Sequence, residues 1–295
     1  RRQRQMCIRD RYCATALFAP LMGWVVQTFG WQQVFIVLGG FGFALCFLWA
    51  RTIHSPRLHP RIGAAEFAHI ERGGGLLDLT PLPATGKPRQ RGHLWQLLSQ
   101  RTLLGIYAGQ YLSNATTYFL LTWFPVYLVQ ERGMTLMAAG FAAVVPAISG
   151  FAGSLSGGML SDRLVRRGHS LSLARKLPIV SGMSLSACIG LCVFVDSDAA
   201  VLALMGLAFF GKGFGTLGWT LVADTSPRQI VGLSGGLFNS FGNLAAITTP
   251  IIVGYLVSRS GSFDLALAYV AANSLLAVLC YLLVVGRIQR IELKD

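Results

Sequence analysis

Apolar residues fall in long unbroken runs along this chain, not in the 2- or 3.6-residue stripes of elements that cover a water-soluble core. The runs lie at about 13–30, 32–50, 103–129, 135–160, 176–195, 199–223, 232–257 and 265–286. Each approaches the roughly 20 residues a helix needs to cross a bilayer core. Water is absent there, so each segment must satisfy its own backbone hydrogen bonds, and a helix does so. The pattern predicts an all-α, polytopic membrane protein with eight transmembrane helices.

Polar stretches punctuate the runs. Residues 51–101 are rich in Pro, Gly, Arg and His, too polar to span and too irregular for a domain. They read as a cytoplasmic linker between two helix bundles. Within it, Leu94 to Leu98 form a candidate surface helix leading into the third run. Residues 1–12 hold five arginines and no apolar periodicity, and join the first run abruptly. That stretch reads as a non-native leader.

Composition agrees with the runs. Charged residues make up 13% of the chain, about half the ~25% usual in soluble domains. The net charge of +13 invites a nucleic-acid reading. The basic residues sit between apolar runs, however, which makes them topological signals instead. With 51–101 placed inside, the inner segments carry seventeen Lys and Arg, and the outer loops only Arg132 and Arg259. The positive-inside rule then puts the C-terminus in the cytoplasm. Six cysteines include no C-x-x-C pair, and Cys188 and Cys192 lie one turn apart as apolar lining.

One charge is left inside a run. Lys212 lies in Phe209-Phe210-Gly211-Lys212-Gly213-Phe214, where an unpaired, unwatered charge costs several kcal/mol. On an α-helix Lys212, Thr216 and Trp219 share a face, offering a cation, a hydroxyl and an indole donor to a hydroxylated carboxylate. A structural lysine paired with a buried carboxylate is the competing reading. Gln110, Asn114 and Tyr118 make a second polar face, and Asn239 and Asn243 a third. Amides inside a bilayer also tie helices together. Three such faces near mid-span point to one water-filled cavity suited to a polyol.

Glycines crowd the same helices, among them Gly150, Gly153, Gly211 and Gly213, and favour close helix approach. Pro125, Pro146 and Pro250 predict kinks. At the inner end of one run stands Gly157-Gly158-Met159-Leu160-Ser161-Asp162-Arg163-Leu164-Val165-Arg166-Arg167-Gly168. Asp162 and Arg166 are spaced to pair on the last turn, and Asp162 suits the N-terminus of a neighbouring helix as a conformational latch. Gly232-Leu233-Ser234-Gly235-Gly236 matches G-x-S-x-G, yet all five histidines lie in cytoplasmic stretches and no strand precedes the serine. No motif supports an enzyme, a cofactor or a metal.

The 157–168 segment resembles the loop motif of the major facilitator superfamily, with Val165 where a glycine is usual. By that resemblance Gly158, Asp162, Arg163 and Arg166 form a gating motif. The segments Gly105-Ile106-Tyr107-Ala108-Gly109-Gln110-Tyr111, Leu121-Thr122-Trp123-Phe124-Pro125-Val126-Tyr127-Leu128 and Phe210-Gly211-Lys212-Gly213-Phe214-Gly215 resemble the anion:cation symporter family. So do Leu217-Gly218-Trp219, Asp224-Thr225-Ser226-Pro227 and Gly235-Gly236-Leu237-Phe238-Asn239. Within it the likeness is to bacterial proton symporters of D-glucarate and galactarate.

The resemblance implies a twelve-helix fold in two six-helix halves with the site between them. Counted from the C-terminus, the chain would hold helices five to twelve: the last two of the first bundle in 13–50, then the linker, then a C-terminal bundle in 102–295. It implies substrate contacts at Gln110, Thr216, Trp219 and Asn239. Family members keep their coupling carboxylates and a substrate arginine on the early helices, so this stretch alone is expected not to transport. The expected partners are a sugar acid, protons and the bilayer of a bacterial inner membrane, with no nucleic acid, and the chain is expected to be a monomer. A hexuronate or aldonate carrier and a non-transporting sensor or scaffold stand as alternatives.

Overall fold

The computed structural model describes residue 25 and residues 28–54, 63–72 and 90–292. The expected leader and most of the first run lie outside the described residues. The chain divides into two compact units, one within 13–89 and one centred on 90–295. In the first, α1 (Trp31–Thr52) is a 22-residue apolar helix and α2 (Ala64–Arg72) a short polar one. No strand occurs among the described residues.

The second unit is a helix bundle. The short α3 (Gln90–Ser99) leads into α4 (Arg101–Thr122) and α5 (Phe124–Gln130). Next come α6 (Leu136–Ala142), α7 (Val144–Arg166) and α8 (Leu171–Ser186), the last continued as a 3-10 helix to Phe194. Then α9 (Asp198–Gly213) passes through a 3-10 turn, Phe214–Leu217, into α10 (Gly218–Thr225). The long α11 (Val231–Ser260) and α12 (Asp264–Leu279) complete it.

Among the described residues, six helical stretches are long and apolar enough to cross a membrane: 31–52, 138–166, 171–194, 198–225, 231–260 and 264–284. The expected run 103–129 is helical but is not one of the six. Its amides, tyrosines and threonines dilute its hydropathy, and it breaks at Trp123, ahead of Pro125 in the first turn of α5. Pro146 likewise follows the break between α6 and α7, whereas Pro250 lies inside an uninterrupted α11.

The bundle is held at its centre by backbone contact. Gly211 and Gly213 are two residues apart, about 200° around the α9 axis, so they face opposite neighbours. A Cβ at Gly211 would strike the Gly182 carbonyl and the Ser186 amide of α8. At Gly213 it would lie 2.5 Å from the Gly150 carbonyl oxygen and 2.6 Å from the Ser154 amide of α7. Thus α9 is clamped between α7 and α8, where only hydrogen fits.

Two apolar clusters fill the bundle. One gathers Phe119, Phe124, Ile189, Met205, Phe263 and Val270; the other Leu103, Ile106, Ile179, Leu221, Phe238 and Tyr281. On α4, α8, α11 and α12 the residues between the clusters are notably polar. Thr116 and Ser274 hydroxyls meet at 3.3 Å, and Ser274 donates to Ser186 at 3.4 Å. Tyr111 meets Thr248 at 2.9 Å.

Each end of the bundle has its own fastening. Arg132 donates from Nε to Tyr127 Oη at 3.0 Å, from Nη1 to the Asp196 carbonyl at 2.9 Å, and to the Cys192 and Val195 carbonyls. It therefore caps the end of the 3-10 helix that follows α8, and the bond to Tyr127 chiefly raises its pKa. At the other end, residues 285–292 lie across α8 and α10. Ile288 N donates to Ser172 Oγ at 2.8 Å, Ile291 N to the Thr225 carbonyl at 2.9 Å, and Lys176 Nζ to the Val285 carbonyl.

The clamp predicts that Gly213→Ala lowers unfolding stability by about 1–3 kcal/mol through overpacking. Thermal denaturation in detergent reads this, and an unchanged midpoint rejects it.

Candidate functional site

The uninterrupted α4 keeps Gln110, Asn114 and Tyr118 on one face, and that face meets α11. The phenol of Tyr118 donates to Asn243 Oδ1 at 3.2 Å. Gly242 stands against both amides: a Cβ there would lie 2.6 Å from Asn114 Nδ2 and 3.2 Å from Gln110 Nε2. The other end of the Gln110 amide faces α10, with Oε1 3.6 Å from the Cβ position of Gly218. Gln110 therefore sits where α4, α10 and α11 converge. The second and third polar faces read from the sequence lie side by side.

The face carrying Lys212, Thr216 and Trp219 is arranged differently from a straight helix. Between Lys212 and Trp219 the chain winds as 3-10, turning about 120° per residue instead of 100°. At the start of that turn Phe214 packs against Gly157 of α7 on one side and Gly182 of α8 on the other. The Thr216 hydroxyl donates to the Gly213 carbonyl of its own helix at 2.8 Å. Lys212 is 8% exposed, a buried ammonium at the level of the clamp. Trp219 is 48% exposed and packs edge-on to Phe238 of α11, with ring centroids 4.8 Å apart. Asn239 and Asn243 are exposed along α11.

Around the 157–168 motif, Gly158 faces open space, and Asp162, Arg163 and Arg166 are exposed at the end of α7. Arg166 Nε donates to the backbone carbonyl of Asp162 at 3.4 Å and not to its carboxylate. The expected Asp162–Arg166 ion pair is replaced by a C-terminal carbonyl cap. The ion pair near this end is one the sequence reading missed. Arg175 of α8, 7% exposed, donates from Nε to Asp224 Oδ2 of α10 at 3.0 Å and from Nη1 to Ser161 Oγ of α7 at 2.8 Å. One guanidinium joins three helices.

Ser234, centre of the G-x-S-x-G match, has a structural part. It meets Tyr107 Oη at 2.7 Å and accepts from Ser226 Oγ at 2.6 Å, and all three residues are buried. This knot fastens α11 to α4 and to the loop after α10.

The sequence of the chain is similar to one group of known proteins. Residues 12–221 fit the profile of the Major Facilitator Superfamily. The chain is 51% identical to the probable galactarate/D-glucarate transporter GudP of Bacillus subtilis (strain 168), over 96% of the chain and 63% of that protein. It is 50% identical to the probable galactarate/D-glucarate transporter GarP of Escherichia coli (strain K12), over 96% of the chain and 65% of that protein. A D-galactonate transporter of Escherichia coli O6:H1 is 40% identical over 95% of the chain and 65% of its own length. The chain thus spans less than two thirds of the length of each of these relatives.

Removing one partner of the Arg175–Asp224 pair leaves a buried charge, so Asp224→Asn is expected to cost about 3 kcal/mol. The double change Arg175→Met with Asp224→Leu is expected to recover most of that loss. Denaturant unfolding of both variants checks the pair, and equal losses in the two reject it.

Proposed function

We infer the function from one premise: the chain belongs to the major facilitator superfamily. We propose that it forms part of a secondary active carrier that imports a hexarate-type sugar acid, galactarate or D-glucarate, by proton symport. The observation that carries this reading is the meeting of the Gln110 and Asn114 amides with α11 and α10, in a chain half identical to galactarate/D-glucarate transporters over nearly its whole length. Amides both donate and accept, which suits a chain of hydroxyl groups.

In this reading Gln110, Asn114, Tyr118, Thr216, Trp219, Asn239 and Asn243 face the polyol, and Lys212 supplies charge for one of two carboxylates. The ammonium lies in the protein interior, where attraction to an anion is screened less than in water. Residues 102–295 act as the C-terminal six-helix bundle, the chain contributes eight spans equivalent to helices five to twelve, and 51–101 is the cytoplasmic linker. The bundle rocks as one body during alternating access, and its glycine clamp supplies the rigidity that rocking needs. Gly158, Asp162, Arg163 and Arg166 form the cytoplasmic gate, with the C-terminus cytoplasmic in a bacterial inner membrane. The carrier works as a monomer. The 40% identity to a D-galactonate transporter favours an aldonate carrier as the second reading.

Uptake of labelled galactarate by cells making the full-length gene product tests the proposal. Competition by D-glucarate and faster uptake as external pH falls are expected; stronger competition by D-galactonate supports the aldonate reading instead. Lys212→Met is expected to weaken galactarate recognition about tenfold or more, the scale of a charge-assisted hydrogen bond, and to spare galactonate by comparison. Equal losses for both sugar acids reject the role given to Lys212.

A further inference from the structure

We propose that Gly242 is a positioning residue: its missing side chain sets where the Gln110 and Asn114 amides stand, and so how tightly the site holds a hexarate. This rests on the functional reading above.

The helix glycines of the bundle differ in what a methyl group would strike. At Gly211 and Gly213 it strikes backbone atoms of the neighbouring helices, which cannot move without shifting a whole helix. At Gly242 the three nearest atoms all belong to side chains. Asn114 Nδ2 lies 2.6 Å from the Cβ position, and Gln110 Cγ and Nε2 each lie 3.2 Å from it. Asn114 is a two-torsion side chain that can swing aside, and Gln110 can follow with a small adjustment. A methyl group at 242 therefore moves amides and leaves helices in place.

The size of the movement decides the effect. Bringing Asn114 Nδ2 out to ordinary van der Waals contact takes about 1 Å. A hydrogen bond tolerates roughly 0.5 Å of spread before it weakens steeply. The displaced amide would thus drop out of register with a solute hydroxyl whose place is fixed by the rest of the site. On its other side Gln110 borders α10, where its Oε1 stands 3.6 Å from the Cβ position of Gly218.

The test uses the full-length gene product purified in detergent, with equilibrium binding of galactarate and its uptake in proteoliposomes. Gly242→Ala is expected to weaken galactarate binding about tenfold, the scale of one hydrogen bond lost. Its unfolding midpoint should stay near that of the wild type, and maximal uptake rate should change less than affinity. Gly213→Ala serves as the contrast and loses stability. Asn114→Ala removes the group that the methyl displaces, so adding Gly242→Ala to it should cost less than about threefold further. Unchanged binding by Gly242→Ala overturns the inference alone. So does a fall in its unfolding midpoint as large as that of Gly213→Ala, or a full tenfold loss in the Asn114→Ala background. A wild type that binds no sugar acid overturns the functional reading and this inference with it.

Discussion

The bundle depends on one helix being pressed on both sides by the backbones of its neighbours. In a bilayer, lipid tails are as apolar as leucine, so burying leucine against leucine gives helices little reason to associate. What remains is dense packing and internal hydrogen bonding, and both favour close approach. Gly211 and Gly213 allow that approach on opposite sides of α9. Lys212 lies between them, so the same two residues that tie the bundle together fix the depth of its buried cation.

Closeness at this level also explains why polar groups gather there. The two apolar clusters leave a waist lined by Thr116, Ser186, Thr248 and Ser274, whose hydroxyls bond to one another or to their own helices. Small hydroxyl side chains suit close packing. The larger amides stand where α4 faces α10 and α11 and where glycines make room for them. Structural polarity and candidate recognition are thus neighbours in one layer, divided by side-chain size.

Much of this was legible in the sequence. The long apolar runs foretold the helices, and the four-residue spacing of Gln110, Asn114 and Tyr118 foretold their common face because α4 is regular over that stretch. The same spacing rule served Lys212, Thr216 and Trp219 less well. The 3-10 turn there coincides with Phe214 packing between two other helices, contacts that spacing along one helix does not encode. Arg175 and Asp224 were hidden for a related reason: 49 positions separate them, and Arg175 looked like one more inward basic residue. Prolines were ambiguous, since Pro125 and Pro146 lie near helix breaks while Pro250 lies within a continuous helix. The nucleophile match at Ser234 already failed for want of a nearby base, but its structural part depended on Tyr107 and Ser226, which no motif joins to it.

Arg132 carries a lesson about counting charges. Its guanidinium is spent on three carbonyl oxygens and a phenol at a helix terminus. A cation so occupied is an architectural part, a cap on carbonyls that the helix leaves without partners. Arg101, Lys176 and Arg290 are used alike at the other end, donating to the Leu283, Val285 and Ala223 carbonyls, so both ends of the bundle close their helices with borrowed cations.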